Sequence, residues 1–164
     1  MQPRSGQVCR LAVLALAAVL VLAGTALAQS SNSSLGTWKL RGAIPNVVGA
    51  DSPTSVILKY EAAGTGVKAT LEMVGVNGAL AHLEFSGDYD GKDNPITGSS
   101  QAGDVVALTR LDANTVRLVH KRDGRVLVTE TAVVSSDGKT MTVTTTGATP
   151  WGVPINGVAV WEKQ

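Results

Sequence analysis

Residues 115–134 read TVRLVHKRDGRVLVTETAVV. Over 115–121, Thr115, Arg117, Val119 and Lys121 fall on one face, and Val116, Leu118 and His120 on the other. A period of two is what a strand with one buried and one wet face requires. Asp123-Gly124 follows, a dipeptide that accepts positive φ cheaply and so suits a tight hairpin. The next run, 125–134, is again rich in Val and Thr, which favour strands over helices. Two such runs around one turn predict an antiparallel hairpin.

The same grammar extends in both directions. Asn77-Gly78, Asp90-Gly91 and Asp137-Gly138 repeat the turn signal, and Gly64-Thr65-Gly66 and Asp112-Ala113-Asn114 sit between strand-like runs. Turns spaced roughly 11 to 14 residues apart suit consecutive antiparallel strands of a small sandwich or barrel. Strands are expected over 37–41, 55–62, 67–74, 79–89, 104–111, 115–121, 125–134, 140–146 and 157–163. In 140–146, Thr140, Thr142, Thr144 and Thr146 share a face opposite Met141, Val143 and Thr145. No stretch of ten or more residues carries a helical period with caps. The prediction is an all-β chain, an antiparallel up-and-down barrel of about 8–10 strands, since closing the meander removes the edges that invite aggregation. Residues 42–53 and 147–154 read as loops, being rich in Pro and Gly. Trp151, in GATPWGVP, is expected to cover an end of the core; the alternative is a rim residue at a cavity mouth.

The chain starts differently. Arg4 and Arg10 precede an unbroken apolar run over 11–22, and Ala26-Leu27-Ala28 is a small-x-small cleavage site. This is the pattern of a secretory signal. The run is shorter than the ~20 residues a membrane-spanning helix needs. The expected organisation is a signal peptide over 1–28, a disordered lead-in over 29–34 (QSSNSS in sequence), and one barrel domain over 35–164. Cleavage near Ala28 implies a secreted or periplasmic protein with no stable membrane insertion afterwards. The one cysteine, Cys9, lies in the signal, so the mature chain has no disulfide, Cys-based zinc site or Cys nucleophile. Without Arg4 and Arg10, 12 basic residues stand against 13 acidic ones, a net charge of −1. Interspersed signs at that balance give no footprint for nucleic acid.

Candidate chemistry is sparse. His82 and His120 lie on separate strands without a ligand spacing, so neither metal nor any other cofactor is expected. His120, at the end of an apolar face, suits a polar group within a mostly apolar pocket. Asp88, Asp90 and Asp93 around Gly91 lack the spacing of a calcium loop and read as a solvated turn. No G-x-S-x-G or Ser-x-x-Lys motif is present, and an enzyme is not expected. What remains are apolar faces able to line a cavity: Tyr60 with Val56 and Leu58, Leu71 with Met73, and Leu83 with Phe85.

Two stretches resemble known families. Gly36-Thr37-Trp38-Lys39-Leu40 is similar to the G-x-W opening of lipocalins and to the start of intracellular fatty-acid-binding proteins. Val158-Ala159-Val160-Trp161-Glu162-Lys163 resembles the closing strand of the latter. The mature chain looks like exported bacterial lipocalin-like (calycin-like) proteins. The resemblance implies a barrel around a cavity for a hydrophobic small molecule or lipid, with Trp38 a structural plug at the closed end and Trp161 in the lining. The chain departs from the pattern in two ways. Residues 42–53 are too short for a helical lid, and the fatty-acid carboxylate anchor, an Arg and a Tyr, is replaced by Ala159 and Trp161. The expected function is an exported binding protein for a hydrophobic ligand. The alternative is a packed structural or interaction barrel of the cell envelope.

Overall fold

The computed structural model describes residues 32–42, 53–98 and 103–164. Ten strands form: β1 (Gly36–Arg41), β2 (Pro53–Ala63), β3 (Gly66–Gly75), β4 (Leu80–Gly87), β5 (Asp90–Gly98), β6 (Val105–Arg110), β7 (Thr115–Arg122), β8 (Arg125–Val134), β9 (Thr140–Ala148) and β10 (Pro154–Lys163). Each pairs antiparallel with the next, and β1 closes on β10 to complete a barrel with no helix among the described residues. The all-β, up-and-down architecture is therefore as expected. The signal segment, residues 29–31 and residues 43–52 of the first expected loop lie outside the described residues.

One strand was not foreseen. β5, DGKDNPITG, is built from types that avoid strands, including Pro95, which has no N–H to give a ladder. Its pairing with β4 spans only Leu83↔Gly98, Glu84↔Thr97 and Phe85↔Ile96, and its pairing with β6 shifts register between Asp90 and Asp93. Asp90-Gly91 is thus no hairpin but the irregular start of this strand, where a positive φ of 78° at Gly91 serves a bulge as well as it would a turn. The hairpin itself is at 88–89, while Asp90 Oδ1 accepts from the Lys92 backbone N–H at 3.0 Å and residues 90–93 are exposed, as a solvated segment whose Asp holds its own backbone should be.

The other turn signals fall where they were placed. Asp123 and Gly124 both have positive φ, 50° and 74°, and close the β7–β8 hairpin in two residues. Elsewhere Asn or Asp side chains hold the turns. The Oδ1 atoms of Asn77, Asp112 and Asp137 accept from the backbone N–H two residues on, at 2.9, 2.8 and 3.0 Å.

Alternation puts Trp38, Val67, Ala69, Val106, Leu108, Val128 and Met141 in the core with at most 2% of their surface exposed. The outward faces carry charge: Lys59 with Glu61, Lys68 with Glu84, and Lys121 with Asp93. Exposed pairs of this kind contribute at most about 1 kcal/mol each, so the core carries the stability.

Connections alternate between two ends. The near end holds the chain's entry at residues 32–35 and the turns at 64–65, 88–89, 111–114 and 135–139. The far end holds the turns at 76–79, 123–124 and 149–153 and the strand ends at Arg41, Pro53, Gly98 and Val105. The near end is sealed by residues expected to be a disordered lead-in. Asn32 donates through Nδ2 to the Tyr89 hydroxyl at 2.7 Å, the Ser34 hydroxyl donates to Asn32 Oδ1 at 2.7 Å, and Ser34 is buried. Trp38 explains the order: its Nε1–H donates to the Ser34 carbonyl at 2.7 Å, tying the entry segment across the barrel floor. A buried indole N–H requires such a partner.

Candidate functional site: the barrel interior

The residues expected to line a cavity all face inward. On β2, β3 and β4 they form one wall. Tyr60 pairs with Ala69 and Ala69 with Phe85, while Leu58 pairs with Leu71 and Leu71 with Leu83. Met73, beside Val56, extends the wall toward the far end. His120 stands apart on β7, between Val106 and Val128. Trp161 is on β10, between Leu40 and Met141, buried in the core. Trp38, at 0% exposure, lies on the near-end side of this interior, under Lys163 Nζ at 5.1 Å from its ring centroid.

The two halves of the interior differ. Near the sealed end side chains fill the space. The cavity there, bordered by Tyr60, Val67, Tyr89, Leu108 and Met141, measures about 10 Å³, at most one water's worth. Toward the far end, inward-facing Leu40, Leu71, Met73, Ile96, Thr145 and Ile155 keep part of their surface accessible. Around that end Val76, Leu80, Val126, Trp151 and Val153 are exposed, Leu80 at 82% and Trp151 at 76%. Trp151 therefore does not cover the core. The five-residue connection at 149–153, closed by Thr149 to Gly152 and Val153 hydrogen bonds, carries it out as a rim residue.

Polar groups sit inside the wall. His120 is 6% exposed, and its Nε2 lies 3.4 Å from Glu130 Oε2, a long contact. Among the described residues its Nδ1 has no partner, nor does the buried indole Nε1 of Trp161. Glu130 faces inward between Leu118 and Thr145 and keeps 29% of its side chain accessible. Its charge reaches Tyr60. Burial first, then Glu130, then Tyr89 push the Tyr60 phenol well above its ordinary range. At the near end Arg110 stacks on Tyr89, 4.0 Å from the ring centroid.

His82 points outward beside Glu84, exposed, on the opposite face of β4 from Leu83 and Phe85. Among the described residues no three His, Cys, Asp or Glu side chains gather as a metal set. The residue that sequence reasoning missed is Glu130. The signal was present, for Val128, Glu130, Ala132 and Val134 share one face, and an acid on an apolar stripe is anomalous. The tertiary partners of Tyr89 and Arg110 carried no comparable signal. The chain matches no family model, no curated protein and no solved structure.

Proposed function

We propose that this is an exported binding protein that takes a hydrophobic small molecule into the far half of its barrel. The observation that carries the reading is the partly buried apolar wall of Leu40, Leu71, Met73 and Ile96, set behind a rim of exposed Val76, Leu80, Val126, Trp151 and Val153. Inward apolar surface that stays wet is a standing cost, relieved at about 25 cal/mol per Å² by an apolar ligand. A mostly apolar pocket with a few placed polar groups is the usual design of small-molecule sites. The lipocalin-like opening at Trp38 and the signal-like start support this reading, with a destination in the periplasm or outside the cell. The charged outer strand faces, with Lys59, Glu61, Lys68 and Glu72, argue against a lipid-facing barrel.

A second reading is a filled barrel that works through its surface. The small size of the near-end cavity favours it.

Titration with a polarity-sensitive apolar dye separates the two. Saturable one-to-one binding is expected. Met73→Glu, on the partly buried wall, should abolish it, and Val133→Glu, on the outer face, should leave it intact. Dye binding that survives Met73→Glu, or fails in the unaltered protein, favours the filled barrel.

A further inference from the structure

We infer that the far end of the barrel docks end-on against an anionic lipid surface, its apolar turn tips seated among the headgroups. The inference goes beyond the binding role, since it names the surface that this end meets.

Three observations lead to it. First, the two ends are tipped differently. At the far end Val76 and Leu80 flank one turn, Val126 borders a second, and Trp151 and Val153 lie in a third, each more than half exposed. The near-end turns carry Asp88, Asp112 and Asp137, whose carboxylates accept from Thr65, Asn114 and Lys139. By strand order the turns at 123–124 and 149–153 are neighbours and the turn at 76–79 lies across the mouth, so apolar tips meet a flat surface from both sides. Tryptophan is usually mostly buried, and an exposed indole at a tip suits the boundary between water and bilayer. Second, these tips close on themselves. In the turn at 149–153 the Thr149 and Gly152 N–H groups donate to the Val153 and Thr149 carbonyls at 2.8 and 2.9 Å, and the Val153 N–H donates to Thr149 Oγ1 at 3.1 Å. In the turn at 76–79 the Gly75 and Gly78 N–H groups donate to the Ala79 and Gly75 carbonyls, and the Ala79 N–H to Asn77 Oδ1. Backbone donors paired within a turn are not stranded when the tip leaves water. Third, charge is divided between the ends. Among the described residues beside the far-end connections, Arg41, Lys121, Arg122 and Arg125 outnumber Asp104 and Asp123. The acids that Arg41 and Lys121 reach, Glu162 and Asp93, lie lower on the wall. Around the near-end turns Asp88, Asp90, Asp112 and Asp137 outnumber Arg110 and Lys139. That polarity turns the far end toward anionic headgroups. The charged outer walls, with Lys59, Glu61, Lys68 and Glu84, keep the barrel from lying on its side. A second copy is the poorer occupant, because two basic ends repel.

Co-sedimentation with equimolar phosphatidylglycerol–phosphatidylcholine vesicles, and with phosphatidylcholine vesicles alone, tests the inference. The protein is purified from the cells that produce it and its N-terminus is read by intact mass, because a retained apolar run over 11–22 binds vesicles by itself. The anionic vesicles should bind about tenfold more tightly than phosphatidylcholine alone. Trp38 and Trp161 are buried, so lipids brominated along the acyl chain should quench Trp151 selectively. Trp151→Ser and Leu80→Ser should each weaken binding about tenfold. Arg125→Gln should narrow the preference for anionic vesicles, and Val158→Ser, exposed on the outer wall, should change neither. Absence of vesicle binding, or binding that leaves Trp151 unquenched and survives Trp151→Ser, overturns the docking. Self-association that Trp151→Ser breaks, with no vesicle binding, overturns it in favour of a second copy. Dye uptake without vesicles is read separately, so loss of docking leaves the binding role standing and loss of dye uptake leaves the docking standing.

Discussion

Trp38 anchors the floor of the barrel twice over, by filling its core and by holding Ser34 through the indole N–H. Trp38→Ala should destabilise the protein by ~3–5 kcal/mol, as large aromatic core truncations do. Trp38→Phe, which keeps much of the volume and loses the hydrogen bond, should cost clearly less; denaturant melts of the two variants check the order. Tyr60 makes a pH prediction. Its phenol is raised above its ordinary pKa of about 10, so the unfolded chain releases the proton first as pH rises. The contribution to stability is complete below about pH 10 and falls away above it. Tyr60→Phe should flatten the alkaline decline in melting temperature between about pH 9 and 11, and an unaltered decline would show that other groups set it. Trp38 was legible because a G-x-W opening ties a large aromatic to a first strand. The inward acid, Glu130, was not singled out because the Arg125–Val134 run was read for its turn and its β-branched content, not for its face.

At the scale of elements, legibility followed alternation. β7 and β9 could be read residue by residue because polar and apolar types switch without a break. β5 could not, since its Asp, Asn, Gly and Pro belong to turns, and neighbours on both sides impose the strand on it. Asn94 shows how that strand is held: its Nδ2 donates to the Lys92 and Val106 carbonyls, and its amide lies where a Cβ on Gly87 would stand. Two glycines make contrasting predictions. Gly124, in the β7–β8 turn, has φ of 74° and open space around it, so Gly124→Ala should cost only the left-handed penalty of about 1–2 kcal/mol. Gly147, with φ of 145°, would bring a Cβ to 2.1 Å from the Leu127 carbonyl oxygen, so Gly147→Ala must move backbone. Thermal melts should therefore rank Gly147→Ala well below Gly124→Ala; equal losses would contradict the close β8–β9 approach.

For the whole molecule, the barrel class was legible because turn signals recur at strand spacing and no helical period interrupts them. Which end is sealed was not, because the seal depends on a serine-rich segment meeting Tyr89 and Trp38 from distant parts of the chain. That asymmetry, a filled floor and a partly buried upper wall beneath an apolar rim, supports the proposed binding role. The most direct measurement is native mass spectrometry of the protein purified from the cells that produce it. The account predicts a bound hydrophobic small molecule at one per chain, released on denaturation. A clean protein mass that also fails to take up dodecanol or a polarity-sensitive apolar dye on addition would contradict it and leave a packed barrel acting through its surface.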